Sequence, residues 1–151
     1  MHIENITVKG TVNLVLMGPD GKVKEDVTYD NLVVDLGLAY IASRMKDATA
    51  TAMSHMAVGT TNTAAADAQT TLVAHNARVA LASTTISTTN VANDGLTYVA
   101  TFPAGTGTAT LVEAGIFNDP TTGTMLCRTV FGSIVKGALD TLTITWKVVV
   151  A

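Results

Sequence analysis

Glu113 stands in the run Leu-Val-Glu-Ala-Gly-Ile-Phe (111–117), an acid with apolar neighbours on both sides, and its setting invites a chemical role. A carboxylate taken out of water needs a cationic partner, or its pKa rises until it can serve as a general acid. Two arginines are within reach of a hairpin over 111–131: Arg128 on its return strand and Arg78 on the strand before it. A structural ion pair of Glu113 with Arg128 or Arg78 is the expectation. A general acid is the alternative, although no nucleophile or base stands near it in sequence.

The other ionisable residues offer less. Of the three histidines, His2, His55 and His75, only His55 sits among soft ligands, in Met53-Ser54-His55-Met56. No second spaced Cys or His completes a metal site, so no metal or other cofactor is expected and His55 reads as a hydrogen-bonded strand residue. Glu25 and Asp26 are adjacent, which on a strand sends them to opposite faces, and the nearby lysines make a solvated edge. The glycines of "PAGTGTAT" (103–110) are followed by no Lys-Ser/Thr pair and form no phosphate loop. A Gly-x-Ser-x-Gly elbow and a His-Glu-x-x-His helix are also absent, so catalytic residues are not expected and the chain does not read as an enzyme.

What positions these residues follows from composition and period. With 151 residues the chain can bury a sizeable core as a single domain, 1–151. Hydrophobic residues make up 48% and charged residues only 14%, well below the usual quarter or so, which leaves a surface of Thr, Ser, Asn, Ala and Gly. Threonine is the commonest residue, and β-branching favours strands. A net charge of -3 without a basic patch argues against direct nucleic-acid binding. The lone Cys127 excludes an internal disulfide. No export signal or apolar run of about 18 residues is seen, so neither secretion nor a membrane partner is expected.

Along the chain, Ile6, Val8, Val12, Leu14 and Leu16 share parity and predict a strand, closed by Gly18-Pro19-Asp20-Gly21 onto a charged edge strand, "KVKEDVTY". This N-terminal hairpin, about 6–29, is a candidate to extend to a neighbouring subunit. One short helix is expected near 36–46, with Asp35 as cap, Leu38, Ile41, Ala42 and Met45 on one face, and Arg44 and Lys46 at its end. "DATATA" (47–52) reads as a loop and "MSHMAVG" as a short strand ending at Gly59. The segment from Thr60 reads as a loop crossing a face, with one helical turn near 65–72. Strands "NARVALASTTIS" and "LTYVATF" flank a turn at Asn93-Asp94-Gly95, and "LTITWKVVV" closes the chain as a central strand. The fold class is all-β: an antiparallel sandwich, jelly-roll-like, with one short helix.

Six strings in order, "NLVVDLGLAYIASRM", "MSHMAVGTTNTAAADAQTTL", "ARVAL", "EAGIFND", "GTMLCRTVF" and "KGALDTLTITW", resemble small virion proteins of tailed bacteriophages. That group includes capsid cement (decoration) proteins and proteins labelled tail-fibre-like. The resemblance covers about 31–151 and implies a β-sandwich subunit on the outside of a phage head, binding the major capsid protein and itself as a symmetric oligomer. It implies assembly in the bacterial cytoplasm and no catalytic residues.

Chemistry then suggests where contacts lie. Thr60, Thr61, Asn62 and Thr63 in one loop, and Thr106 and Thr108 in another, are charge-poor and suit a covered interface. Lys22 and Lys24 in the first hairpin would either reach the capsid or stay in water. Three copies are preferred because an icosahedral shell has local threefold axes, with two as the alternative. The second functional reading is a tail fibre or adaptor module whose Tyr40, Tyr98 or Trp146 stacks on host sugars.

Overall fold

The computed structural model describes residues 5–46 and 51–150, and the readings that fall on His2 and on most of "DATATA" lie outside them. The first alternating segment forms β1 (Val8–Met17), with Val12, Leu14 and Leu16 buried, while Ile6 precedes it and is exposed. The turn onto β2 (Val23–Asp30) needs the left-handed conformation of Gly21, φ +76°, and Asp20 Oδ1 accepts from the Lys22 N–H. After the two-residue β3 (Leu32–Val33) comes the helix α1 (Asp35–Ser43).

The helix departs from its sequence reading in two ways. Val34 is the N-cap and no side chain caps the end; Asp35 is the first helical residue, where its charge still meets the positive end of the dipole. Leu38, Ala42 and Met45 are exposed, and the docked side is Gly37, with Tyr40 and Ile41 half-buried. The reason is steric. Gly37 packs against the main chain of Leu126 so closely that a Cβ would overlap its carbonyl, so the helix docks through its smallest residue rather than its apolar stripe. No basic residue falls in the last turn; Arg44 is the C-cap.

Beyond it run β4 (His55–Gly59), β5 (His75–Ala80), β6 (Ser83–Ser87), β7 (Gly95–Phe102), β8 (Ala109–Phe117), β9 (Met125–Lys136) and β10 (Thr141–Val150). "NARVALASTTIS" is two strands rather than one. The Leu81 N–H donates to Ser54 in one sheet and the next N–H, of Ala82, donates to Val99 in the other.

Two five-stranded sheets result, sheet A in the order β2-β1-β10-β7-β6 and sheet B in the order β3-β9-β8-β4-β5, every pairing antiparallel. This is the all-β sandwich that the alternating pattern predicts. Hairpins β1–β2, β4–β5, β6–β7 and β8–β9 alternate between the sheets, and β10 lies at the centre of sheet A. β1 is bonded to β10 along its whole length, so the first hairpin is an integral part of this chain's own sheet. Between the sheets lies a core that includes Leu14, Met56, Phe102, Ile116, Phe131, Ile144 and Trp146. Burial of this apolar area is the main stabilising term.

Candidate functional site

β8 is buried from Leu111 to Phe117 on both faces, whereas a sandwich strand normally hides one. Its inner side meets the core through Ala114 and Ile116. The outer side is covered by the chain's own residues 60–74, which contain no helix and run over sheet B as a strap. Leu72 is sealed beneath it with Val34, Ala57, Phe117 and Met125 in a second, smaller apolar cluster. The segment crosses a face as its composition predicts, its inward side on sheet B, and Thr60, Asn62 and Thr63 remain exposed on the other side.

Register explains how the strap finds room and anchorage. On the outer face, one row across the sheet reads Arg78, Ala57, Gly115, Arg128, and the next reads His75, Gly59, Glu113, Val130. Glu113 and Arg128 are therefore diagonal neighbours on one face of the β8–β9 hairpin, a separation that long side chains bridge. The small residues between the rows leave a trough. At Gly59 a Cβ would strike the side chain of Glu113 and the carbonyl of Ala74.

The two charges meet in that trough. Arg128 Nε and Nη2 donate to Glu113 Oε2 at 2.9 and 2.7 Å, and neither side chain is exposed. Their remaining groups hold the strap. Glu113 Oε1 and Oε2 accept from the N–H groups of Ala74 at 2.7 Å and Val73 at 3.1 Å. Arg128 donates through Nη2 to the Thr63 carbonyl at 2.9 Å and through Nη1 to Gln69 Oε1 at 3.0 Å. The carboxylate thus has four donors and no opening toward a reactant.

Arg78 is not the partner of Glu113. β4 separates its strand from β8, about 10 Å in all, and its guanidinium lies 3.7 Å from the centre of the Phe117 ring. From there it donates to the carbonyls of Asp119 and Thr122, holding the β8–β9 turn. His75, at the start of the same strand, has its pKa lowered by partial burial and by Arg78. His55 lies in β4, its Nδ1 2.8 Å from Ser54 Oγ. No group of three or more His, Cys, Asp or Glu side chains that could hold a metal occurs among the described residues.

The remaining buried charges tie the loops at one end of the sandwich. Lys136 donates to the carbonyls of Pro103 and Asp140, and the Asp140 carboxylate accepts from Lys24 and from the Gly137 N–H. Hydrogen bonding to Lys24 is the largest cause holding the Asp140 pKa down. Lys24 is thus half-exposed and paired at 2.9 Å, and Lys22 is exposed. Thr106 lies in the neighbouring turn, half-buried, with its N–H bonded to Pro103, and Thr108 is exposed. Thr60, Thr61 and Asn62 line an open groove with Thr110, Val112 and Ser133. Tyr98 and Trp146 face the core, 4% and 0% exposed, so neither can stack on a sugar.

Sequence inspection missed the outer face of sheet A, which no element covers among the described residues. One row across it reads Thr28, Asn13, Thr145, Val99, Ser83, and the next reads Asp30, Thr11, Lys147, Thr97, Thr85. A third brings Asp26, Val15, Thr143 and Thr101 together, with the last two hydroxyls 3.3 Å apart. Charge on this face comes from the β2 edge, from Lys9 at the start of β1 and from Lys147. The signal was present as the odd-numbered threonines of "LTITWKVVV", opposite its apolar parity.

Fold and network together define a two-sheet, all-β sandwich closed on one outer face by its own strap. No protein-family model matches the chain, and no curated protein or solved structure matches it significantly.

Proposed function

We propose that this chain is a structural virion protein: a capsid cement that binds the outside of a phage head and ties neighbouring copies of the major capsid protein. The observation that carries the reading is the one-sided covering of the sandwich. Sheet B spends the strap on covering its own outer face, while sheet A presents a broad, sparsely charged lattice of Thr and Val to the outside. Large contacts are depleted in charge at their centres. The buried ionisable pair Glu113–Arg128 is fully engaged in fastening the strap, which favours a structural over a catalytic role.

The mechanism is mass action. Contacts made only with the expanded shell shift the head toward that geometry, and after one contact forms the others become intramolecular. Self-association, in twos or threes, multiplies the effect. The test is copy number per virion against the major capsid protein, by quantitative mass spectrometry. Near-stoichiometric amounts support a cement; a few to a few tens of copies overturn it and favour a tail component.

A further inference from the structure

We infer that β6 is a self-pairing edge, through which two copies of this chain join their sheets A into one continuous antiparallel sheet. The four edges of the sandwich are not alike. β2 carries Lys24, Glu25, Asp26 and Asp30 and has a register shift against β1; charge and irregularity of this kind block stray pairing. β3 is only two residues long, and β5 carries Arg78 and a register shift against β4. β6, Ser-Thr-Thr-Ile-Ser, has no charge, no proline and no register shift against β7, and its first four residues are exposed.

Its main-chain groups that have no partner among the described residues can be assigned. The Val150 N–H donates to the Asp94 carbonyl, which continues the β10–β7 register and makes the even-numbered residues of β7 those bonded to β10. The odd-numbered residues of β7 therefore bond to β6, where they meet Ser83, Thr85 and Ser87. The N–H and C=O groups of Thr84 and Ile86 point away from the sheet. A second β6, antiparallel and centred on Thr85, sets Thr84 of each copy opposite Ile86 of the other, so all four free groups on each strand find partners. No charge meets a like charge. Thr85 faces Thr85 across the twofold axis as a non-hydrogen-bonded pair, whose Cα atoms approach to about 4.5 Å.

A second observation supports the same edge. Thr84 and Ile86 border an apolar groove of about 470 Å³ between α1 and sheet A, lined also by Tyr40, Met53, Tyr98 and Leu126, and Ile86 is 67% exposed above it. Pairing lays Ile86 of each copy beside Thr84 of the other at the mouth of this groove. A free edge beside pockets for alternate side chains is the geometry of strand addition. The strand's near-symmetry about Thr85 makes a second copy the occupant. The twofold arrangement joins two bare Thr/Val faces, and a threefold one would have to use another surface. So short an edge buries less than a standard interface, and a dimer of roughly micromolar affinity or weaker is expected.

The inference stands on the edge alone, so its failure would leave the copy-number test untouched. Sedimentation velocity of the full chain over a wide concentration range should show reversible dimers. Thr84→Pro removes only an outward N–H, which edge strands tolerate, and should raise the dissociation constant roughly tenfold to a hundredfold with little change in melting temperature. Thr85→Cys should form an inter-chain disulfide under mild oxidation, whereas Thr84→Cys, facing Ile86, should not. Should Thr84→Pro misfold, Ile86→Lys places a charge on the same edge and should weaken association to a similar extent. A monomer at every concentration, a trimer, or dimers indifferent to these changes would overturn the inference.

Discussion

Arg128 grips a single oxygen of Glu113 with two nitrogens, at 2.9 and 2.7 Å, where neither side chain touches water. Removing one partner strands the other charge without solvent. Glu113→Leu is therefore expected to cost about 3–5 kcal/mol, and Glu113→Leu with Arg128→Met less than the sum of the single changes. Urea unfolding followed by the fluorescence of Trp146, the only tryptophan and fully buried, measures both.

The helix should be equally intolerant at its contact point. Gly37→Ala forces a methyl group into the Leu126 carbonyl, and overpacking of this kind costs about 1–3 kcal/mol, despite alanine's better helix propensity. A lowered urea midpoint with an unchanged slope is the expected result.

Acid should weaken the fold through its turns. Backbone N–H groups of Thr122 and Thr121 hold the Asp119 pKa at about 2, against an ordinary 3.8. A folded pKa below the unfolded one means that the contribution is complete above the unfolded value and is lost as pH falls toward the folded one. Asp94 and Asp140 are shifted in the same direction by their own hydrogen bonds. Melting temperature should thus fall from about pH 4 toward pH 2, and Asp119→Asn should flatten part of that fall.

Cys127 is fully buried, and burial pushes its thiol well above the ordinary value. It should resist an aromatic disulfide reagent in the native protein and react fully in denaturant. Rapid native labelling would refute its placement in the core.

The bare face of sheet A can be challenged directly. Thr145→Arg sets a charge at its centre, beside Asn13 and Val99. Under the proposed cement role, binding to phage heads should be lost while the melting temperature stays near that of the wild type. Unchanged occupancy would move the shell contact elsewhere.

How far the sequence foretells this structure depends on what each pattern encodes. Strict alternation in β1 and β10 reports one wet and one dry face, and both strands follow it. In "LVEAGIF" alternation is missing because both faces are buried, and nothing local says that the strap is what covers the second. Arg128 and Arg78 look alike on the page; only the order β5-β4-β8-β9 separates them. The helix misleads because its docking is decided by a missing Cβ on Gly37, which no count of apolar residues detects.

Glu113 and Arg128 hold residues 60–74 mostly by main-chain atoms: the N–H groups of Val73 and Ala74 and the carbonyl of Thr63. Atoms of that kind are common to nearly every amino acid. The exposed letters of the strap, such as Thr60, Asn62, Thr70 and Thr71, can therefore be rewritten while the fastening stays the same. That makes the strap a natural place to graft a foreign peptide for display, and a place where related chains are free to diverge quickest.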